Sequence, residues 1–548
     1  MLNLNLLHND YTLLSDGYQL KLPLELEKEI ENDDCVRLIS WIVEEMDLAP
    51  LMDTYERMPS EKLASPKIML KIFLYAYHER IDTSSRLIEK RCTRDINYMY
   101  LLEGRKVPDH ATIARFRSGH LAKCAQKLLA ELIRVLISLG QITTSELFVD
   151  GTKIEADANR YTFVWKKRLK KHQERHLQKT ALLVGDIIQR YGFPEIRDRQ
   201  VRKRDVKKIL KKLRSKAKDR ELAYVHGRGH RKEELQRDIE ALDAALEKIS
   251  SYDSGLHICE GRNSYSKTDH DATFMHMKDD HMMNGQLKPA YNLQHAVNSG
   301  YIVGVNVYPN PTDVLTLIPF MKHVEENLGL HFERLVADAG YESEENLSFL
   351  EQMSIQAYIK PANYEQLGTK KFEKQIGRHE NMEYDSENDC YICHNGMVLA
   401  KTGEKVSRSR RGYEKTVSTY SCADCDGCPY RERCCSGPNW KKPVEERFKS
   451  LSISRKFEEY RAEEYALIDS DEGKRLRMNR SIQAEGSFAD IKGDSRFTRF
   501  LCRGTDNVLA ESILYAMAHN IGWLHSRIQN GCLDLHLYDL KDTENRAA

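Results

Sequence analysis

Glu146-Leu147-Phe148-Val149-Asp150-Gly151 decides the fold, because here helical spacing gives way to a short apolar strand that ends on a carboxylate. Everything upstream reads as helix. Apolar residues recur at helical spacing in Val36-Leu38-Ile39-Ile42-Val43-Met46 and again from Ile68 to Tyr77. Thr83 to Arg94 and Asp109 to Leu121 each open on a capping residue, the second directly after Pro108, and a long amphipathic run follows from Lys123 to Leu139. Two short helices before a longer one suit a helix-turn-helix-like DNA reader, and an all-helical packing domain fits the same pattern equally well.

Downstream of Asp150 a highly charged helical region extends from beyond Trp165 to about Ser250. Strands then return after the turn dipeptide Asn284-Gly285. Tyr291, Leu293 and Val297 mark one strand, Ile302 to Val307 the next, and Asn298-Ser299-Gly300 joins them as a hairpin. A helix from about Pro319 to Leu328, a strand Arg334 to Ala337 ending at Asp338, a helix Ser343 to Met353 and a strand Ile355 to Ile359 complete the series. With the charged insert set aside, this is the RNase H-like order: an antiparallel meander, then crossover helices feeding parallel strands. The expected class is therefore α/β. An RNase H-like catalytic core, a mixed sheet flanked by helices, carries an all-helical N-terminal domain, a basic helical insertion and a cysteine-rich insertion. The expected boundaries are a helical DNA-binding domain over 1–140 and the first part of the core over 141–359, with the basic insertion at 157–255. A cysteine-rich insertion over 360–445 and the helical C-terminal part of the core over 446–548 follow. Helix is expected to resume from about Ile453, to include Asn479 to Lys492, and to end in an apolar helix from Val508 to Leu524.

Composition narrows the function. With 84 Lys and Arg against 83 Asp and Glu, the chain is near neutral overall, so any DNA footprint must come from local clustering. Such a cluster exists. Between Tyr161 and Arg220 stand 21 Lys and Arg against 6 Asp and Glu, a net of +15. Charge this one-sided repels itself without a polyanion nearby, which favours DNA contact, with Lys207, Lys208, Lys211 and Lys212 as candidates, over a solvated helical hairpin. No apolar run is long enough to cross a membrane, and Met1 to Asn5 lack the basic and apolar regions of a secretory signal, so a cytoplasmic, nucleoid-associated protein is expected.

Phosphodiester cleavage by two divalent ions needs carboxylates that converge although distant in sequence. Asp150 and Asp338 each follow a short apolar strand, and Glu485 in Ala484-Glu485-Gly486 is the third candidate, on a helix that would cross the sheet. Two Mg2+ or Mn2+ ions are expected on this triad, since such ions take hard oxygen ligands. Lys492 lies seven residues beyond Glu485, on the same helix face, and is expected with Arg503 to meet DNA phosphate.

Thirteen cysteines are present, seven of them between Cys390 and Cys435. Cys390-x2-Cys393 and Cys422-x2-Cys425-x2-Cys428, with Cys434-Cys435 beyond, form two knuckle-like groups that suit tetrahedral structural zinc better than disulfides.

Several of these segments together resemble the bacterial insertion-sequence DDE transposases. They are Phe148-Val149-Asp150-Gly151-Thr152-Lys153-Ile154, then Asn284 through Gln294, Ala337-Asp338-Ala339-Gly340-Tyr341, and Ala484-Glu485-Gly486 with Ile491-Lys492. The resemblance is greatest to the group named after insertion sequence eleven-eighty-two, with an InsH-like N-terminal domain, and spans about residues 60 to 525. It implies that Asp150, Asp338 and Glu485 form the catalytic triad and that residues 1 to about 140 bind the element's ends. It also implies that Cys393, Cys425, Cys428 and Cys434 bind zinc. The activity implied is metal-dependent cleavage at the ends of a mobile element and strand transfer into target DNA. The alternative is a domesticated, non-cleaving DNA-binding protein on the same fold. Partners would be double-stranded DNA, as terminal inverted repeats and target, and a second copy, since two ends must be cut together. Related transposases carry a Tyr-x2-Arg-x3-Glu-x6-Lys signature, in which Met478 and Ser481 occupy the tyrosine and arginine positions here. Arg480 stands one residue out of register, about 140° around an α-helix from Glu485 rather than about 40°.

Overall fold

The computed structural model describes residues 29–80, 83–195, 201–227, 230–277, 285–436, 440, 442–494 and 497–540. Met1 to Asn5 and Asn284 of the turn dipeptide lie outside the described residues.

The strand that opens at Glu146 continues to Glu155 (β1), so Asp150 sits within it rather than at its end. The strand outlasts its apolar stretch because its two sides differ. It pairs antiparallel with β5 (Leu287–Asn298) over Phe148–Glu155, but parallel with β7 (Arg334–Ala337) only over Glu146–Val149. β8 (Gln356–Ile359) adds a further parallel strand on β7. On its other side β5 pairs with β4 (Thr273–His276) and β6 (Tyr301–Tyr308), both antiparallel. This mixed sheet, flanked by helices, fits an RNase H-like core. The expected hairpin turn is present, with Ser299 at φ 54° and Gly300 at φ 83°. A side chain at Gly300 is excluded twice over, by that φ and because a Cβ there would lie 2.4 Å from the Trp523 ring.

Helices α1 (Cys35–Glu45), α2 (Pro66–His78), α3 (Ser85–Cys92), α4 (Ile96–Leu102) and α5 (His110–Arg115) precede the sheet. A π turn over Phe116–Leu121 joins α5 to α6 (Ala122–Ser138). Helix α15 (Thr505–Gln529) packs against β6, α2 and α6, so the N-terminal helices and the sheet share one continuous apolar core. Two ionisable side chains are buried at this junction: Arg117 donates to the Thr83 carbonyl, and Glu511 accepts from the Leu501 and Cys502 amides at 3.1 and 3.0 Å.

Between β2 (Phe163–Trp165) and β3 (Ser264–Ser266), helices α7 (Lys166–Tyr191), α8 (Lys203–Asp219) and α9 (Glu234–Cys259) enclose a separate apolar cluster that includes Val184, Leu213 and Leu242. After α10 (Leu317–Leu328) and α11 (Glu344–Gln352), the cysteine-rich stretch forms a sheet the sequence did not announce. Its strands are β9 (Glu383–Asp385), β10 (Cys390–Ile392), β11 (Val398–Arg408), β12 (Glu414–Cys422) and β13 (Ser450–Ile453), in the order β13-β12-β11-β10-β9. Helix resumes only at α12 (Arg455–Asp469), since Ile453 closes β13. No described helix is long and apolar enough to cross a membrane.

Candidate active site

Val149 lies opposite Ala337 on the parallel pair β1–β7, so Asp150 and Asp338 are the next residues on neighbouring strands, about 4.8 Å apart in backbone spacing. Each carboxylate is oriented locally: Asp150 accepts from the Gly151 amide and Asp338 from the Gly340 amide, both at 2.8 Å.

Glu485 arrives from a broken helix that crosses β1 and β5. Helix α13 (Asp471–Arg480) passes into a π turn over Ser481–Glu485, then α14 (Gly486–Ala489), then a second π turn over Asp490–Asp494. The segment is pinned to the sheet from beneath. Gln483 accepts from the Gly300 amide at 2.8 Å, and Phe488 stacks on His295 at a centroid distance of 4.2 Å. His295 is the β5 residue opposite Asp150 and meets the Ser487 hydroxyl at 3.1 Å. Burial lowers its pKa to about 3, so the ring is neutral and adds no charge beneath the carboxylates.

The π turn overturns the expectation for Arg480. In a π turn residues five apart stack above one another, so the extra residue that would carry Arg480 away from Glu485 on an α-helix instead brings them together. Arg480 donates to Glu485 Oε1 at 2.6 Å and stands 3.7 Å from Asp150 Oδ2. Ser481, at the signature's arginine position, donates its hydroxyl to Glu485 Oε2 at 3.1 Å. Met478 lies to the other side, in a neighbouring cleft with Asp338, Lys360 and Arg477. Asp150, Asp338, Arg480, Glu485 and Lys492 line one open pocket of about 490 Å3.

A fourth carboxylate, which sequence reasoning missed, lies against this pair. Asp313 Oδ1 accepts from Asn292 at 2.7 Å and Gln294 at 3.0 Å, and Gln294 in turn accepts from the Tyr341 hydroxyl. A Cβ on Gly151 would stand 2.2 Å from Gln294 and 2.8 Å from Asp313, so a side chain there would displace the network that passes under β1. Burial, then the charges of Asp313, Asp150 and Asp338, hold the Tyr341 hydroxyl well above its ordinary pKa. Asn292 and Gln294 were a visible signal: fully buried amides in an apolar strand need partners.

The other candidates are not in this pocket. Arg503 donates to Asp157 Oδ2 at 2.8 Å and to its carbonyl at 2.7 Å. Lys207, Lys208, Lys211 and Lys212 lie on the exposed face of α8, and Lys212 rests 5.4 Å from the Phe193 ring.

Residues 392–525 match the family model of the transposase DDE domain, and residues 24–119 match that of a transposase domain, DUF772. Together these matches support an insertion-sequence DDE transposase. The first match contains Glu485, the second the N-terminal helices, and Asp150 and Asp338 fall between them. No curated protein and no solved structure matches the chain.

A DDE transposase domain implies a divalent metal, and the donors of this pocket suit one in kind: hard oxygens around open space. A positive charge is already bridged between two of them, since the Arg480 guanidinium reaches both Asp150 and Glu485. Among the described residues no three His, Cys, Asp or Glu groups stand close enough to hold an ion. At the carboxylates, Arg480 stands between two of the three.

For the cysteines the same fact is a correction. The zinc site expected from Cys393, Cys425, Cys428 and Cys434 is not assembled among the described residues. Cys422 spends its thiol proton on the Asp424 carbonyl at 3.1 Å, and burial pushes Cys422 up to about 11 and Cys434 up to about 12. Cys422 and Cys425 are buried in the small core around Tyr391, Leu399 and Tyr420, and Cys393 packs against it.

Proposed function

We propose that this chain is an active transposase of the group named after insertion sequence eleven-eighty-two, cutting DNA at the ends of its element and joining them to target DNA. The observation that carries the reading is the convergence of Asp150, Asp338 and Glu485 on one open pocket. These three would hold the divalent ions, which supply an activated attacking oxygen and charge stabilisation at the leaving oxygen. The chain's own groups do the positioning. Register on β1 and β7 fixes two carboxylates, while the stack of Phe488 on His295 fixes the helix that brings the third. Lys492, on the same wall of the pocket, is suited to a phosphate oxygen, and Arg480 offsets carboxylate charge until DNA arrives. Cleavage and joining are both phosphoryl transfers with the same in-line geometry, so one site serves both.

The N-terminal helices to about residue 140 are assigned the element's ends and α8 the DNA backbone. Arg503, whose side chain is 56% exposed beside Asp157, is a further phosphate contact in this reading. Two ends must be cut together, so the chain acts as a dimer on DNA.

The test is incubation of the full chain with a linear duplex carrying the element's own ends and Mg2+ or Mn2+, with nicks mapped at nucleotide resolution. Wild type should nick at the ends. Asp150→Asn, Asp338→Asn and Glu485→Gln should each lower cutting by at least about a hundredfold while leaving end binding nearly intact, because these groups hold metal rather than DNA. Near-normal cutting by any one removes that residue from the site. A wild type that binds the ends and nicks with neither ion is instead the non-cleaving DNA-binding protein.

A further inference from the structure

Strands β11 and β12 leave the cysteine-rich sheet as a bare two-stranded ribbon. At its base the ribbon is flanked on both sides, by β10 along Val398–Ala400 and by β13 along Ser418–Ser421. Beyond that only the two strands pair, through Lys405 with Val417, Val406 with Thr416, Ser407 with Lys415 and Arg408 with Glu414. Val406 is 57% exposed, and an unsupported hairpin of this kind is marginal by itself. The tip is tied down elsewhere. Arg411 donates to the Leu315 carbonyl, and the Tyr413 hydroxyl donates to Glu344 at 3.0 Å. Leu315 closes the short turn that begins at Asp313, the carboxylate packed against Gly151 and Gly340 beside the catalytic aspartates. The ribbon therefore runs from the cysteine-rich sheet to the rim of the active site.

Its charge is one-sided. From Lys405 to Lys415 there are five basic residues and one acidic. Arg408 pairs with Glu414 and Arg411 holds Leu315, whereas Lys405, Arg410 and Lys415 have no side-chain partner among the described residues. Lys405 and Lys415 share a ribbon face, because directly paired residues point the same way and both pairs, 405/417 and 415/407, lie two apart.

We propose that the β11–β12 ribbon is a clamp on the DNA backbone, gripping duplex phosphates beside the pocket through Lys405, Arg410 and Lys415. The inference rests on the nuclease reading above and extends it to a surface outside the pocket. A carboxylate-lined pocket repels the phosphates it must receive, so cationic groups along its rim are needed to offset that repulsion. The unsupported ribbon spans roughly 20 Å. Duplex DNA presents a charge every 1.7 Å or so of axis, a density that matches an extended row of cations better than an acidic protein patch does. Two-stranded ribbons are also of a size to lie along a DNA groove.

The test uses the full chain and a 40-base-pair duplex of arbitrary sequence, since backbone contact carries no sequence code. Lys405→Ala, Arg410→Ala and Lys415→Ala combined should weaken binding at least tenfold at the lowest of three salt concentrations. The slope of log affinity against log salt should flatten by about 0.9 for each phosphate no longer neutralised. The charge-preserving set Lys405→Arg, Arg410→Lys and Lys415→Arg should restore both. All three side chains are exposed, so melting should not change, and Arg410→Glu alone should give the same direction if the triple variant folds poorly. Wild-type affinity and slope in the neutral variants overturn the clamp while leaving the nuclease reading intact. Absence of nicking by a wild type that binds, with the slope flattened in the variants, overturns the nuclease reading alone. A wild type that binds no duplex overturns both.

Discussion

In the pocket the Arg480 guanidinium lies 2.6 Å from Glu485 and 3.7 Å from Asp150, so a divalent ion drawn to those carboxylates meets a resident positive charge. The two compete, and removing one must strengthen the other. Arg480→Gln should therefore bind Mn2+ several-fold more tightly than wild type in the absence of DNA, measured by electron paramagnetic resonance of the free ion, while Arg480→Lys should fall between. Equal or weaker Mn2+ binding by Arg480→Gln would remove Arg480 from the ion's place. Asp150 and Asp338 were legible as candidates because each follows a short apolar stretch, although Asp150 lies within β1 rather than at its end. Arg480 was not: its role depends on a π turn, and nothing in Arg480-Ser481-Ile482-Gln483-Ala484-Glu485 distinguishes five residues of π turn from five of α-helix. Asp313 escaped for a related reason, since a carboxylate on a short turn reads as an ordinary turn residue until Asn292 and Gln294 are seen to be buried against it.

Elements were legible in proportion to how clearly they bury one face. Strand β7 was expected over Arg334 to Ala337 and occurs there, because it is apolar and paired on both sides, by β1 and β8. The β11–β12 ribbon was missed because its side chains are largely exposed on both faces, leaving no alternation to read. Helix α12 carries an element-scale prediction through Glu464, which is 5% exposed and accepts from the Ile359 amide at 2.7 Å. Burial pushes its pKa from 4.5 up to about 8, against the opposing pull of the Ile359 amide, with Glu463 and Glu342 adding to the rise. The folded chain thus keeps a proton that the unfolded chain releases near 4.5. The stability linked to it is whole below that pH and is lost as pH rises toward 8. Glu464→Gln keeps an acceptor for Ile359 and cannot ionise, so its melting temperature should exceed wild type by a few degrees at pH 8.5, and by less at pH 5.5. A gap that stays constant across that range would refute the argument. On α8, Lys207, Lys208, Lys211 and Lys212 occupy the face opposite Val206, Ile209, Leu210 and Leu213. Neutralising all four should weaken binding to every DNA sequence alike and flatten the salt slope by up to about 3.6. An unchanged slope would make this face merely solvated.

At the scale of the whole molecule, the order of β1, β5, β6, β7 and β8 was readable because each carries its own apolar signal, whereas β4, which precedes the expected return of strands, was missed. The way the pieces share cores was not readable either, since periodicity shows which face is buried and not against what. The N-terminal helices, which spacing alone permits as a separate module, are built onto the mixed sheet through α15, with Leu514 buried in the common core and Arg117 and Glu511 buried at the junction. Helices α7 to α9 instead close around their own apolar cluster, centred on residues such as Leu213. Cooperative units follow shared cores, so the two regions should open differently. Leu514→Ala leaves a cavity costing roughly 2–5 kcal/mol, and amide exchange should quicken in α2, α6 and β6 together. Leu213→Ala, at similar cost, should quicken exchange across α7, α8 and α9 while leaving α2 and β6 at wild-type rates. Hydrogen exchange read by mass spectrometry on both variants separates the cases. If Leu514→Ala loosened the sheet and left α2 protected, the N-terminal helices would be an independent reader after all, free to reorient on DNA without disturbing the carboxylates.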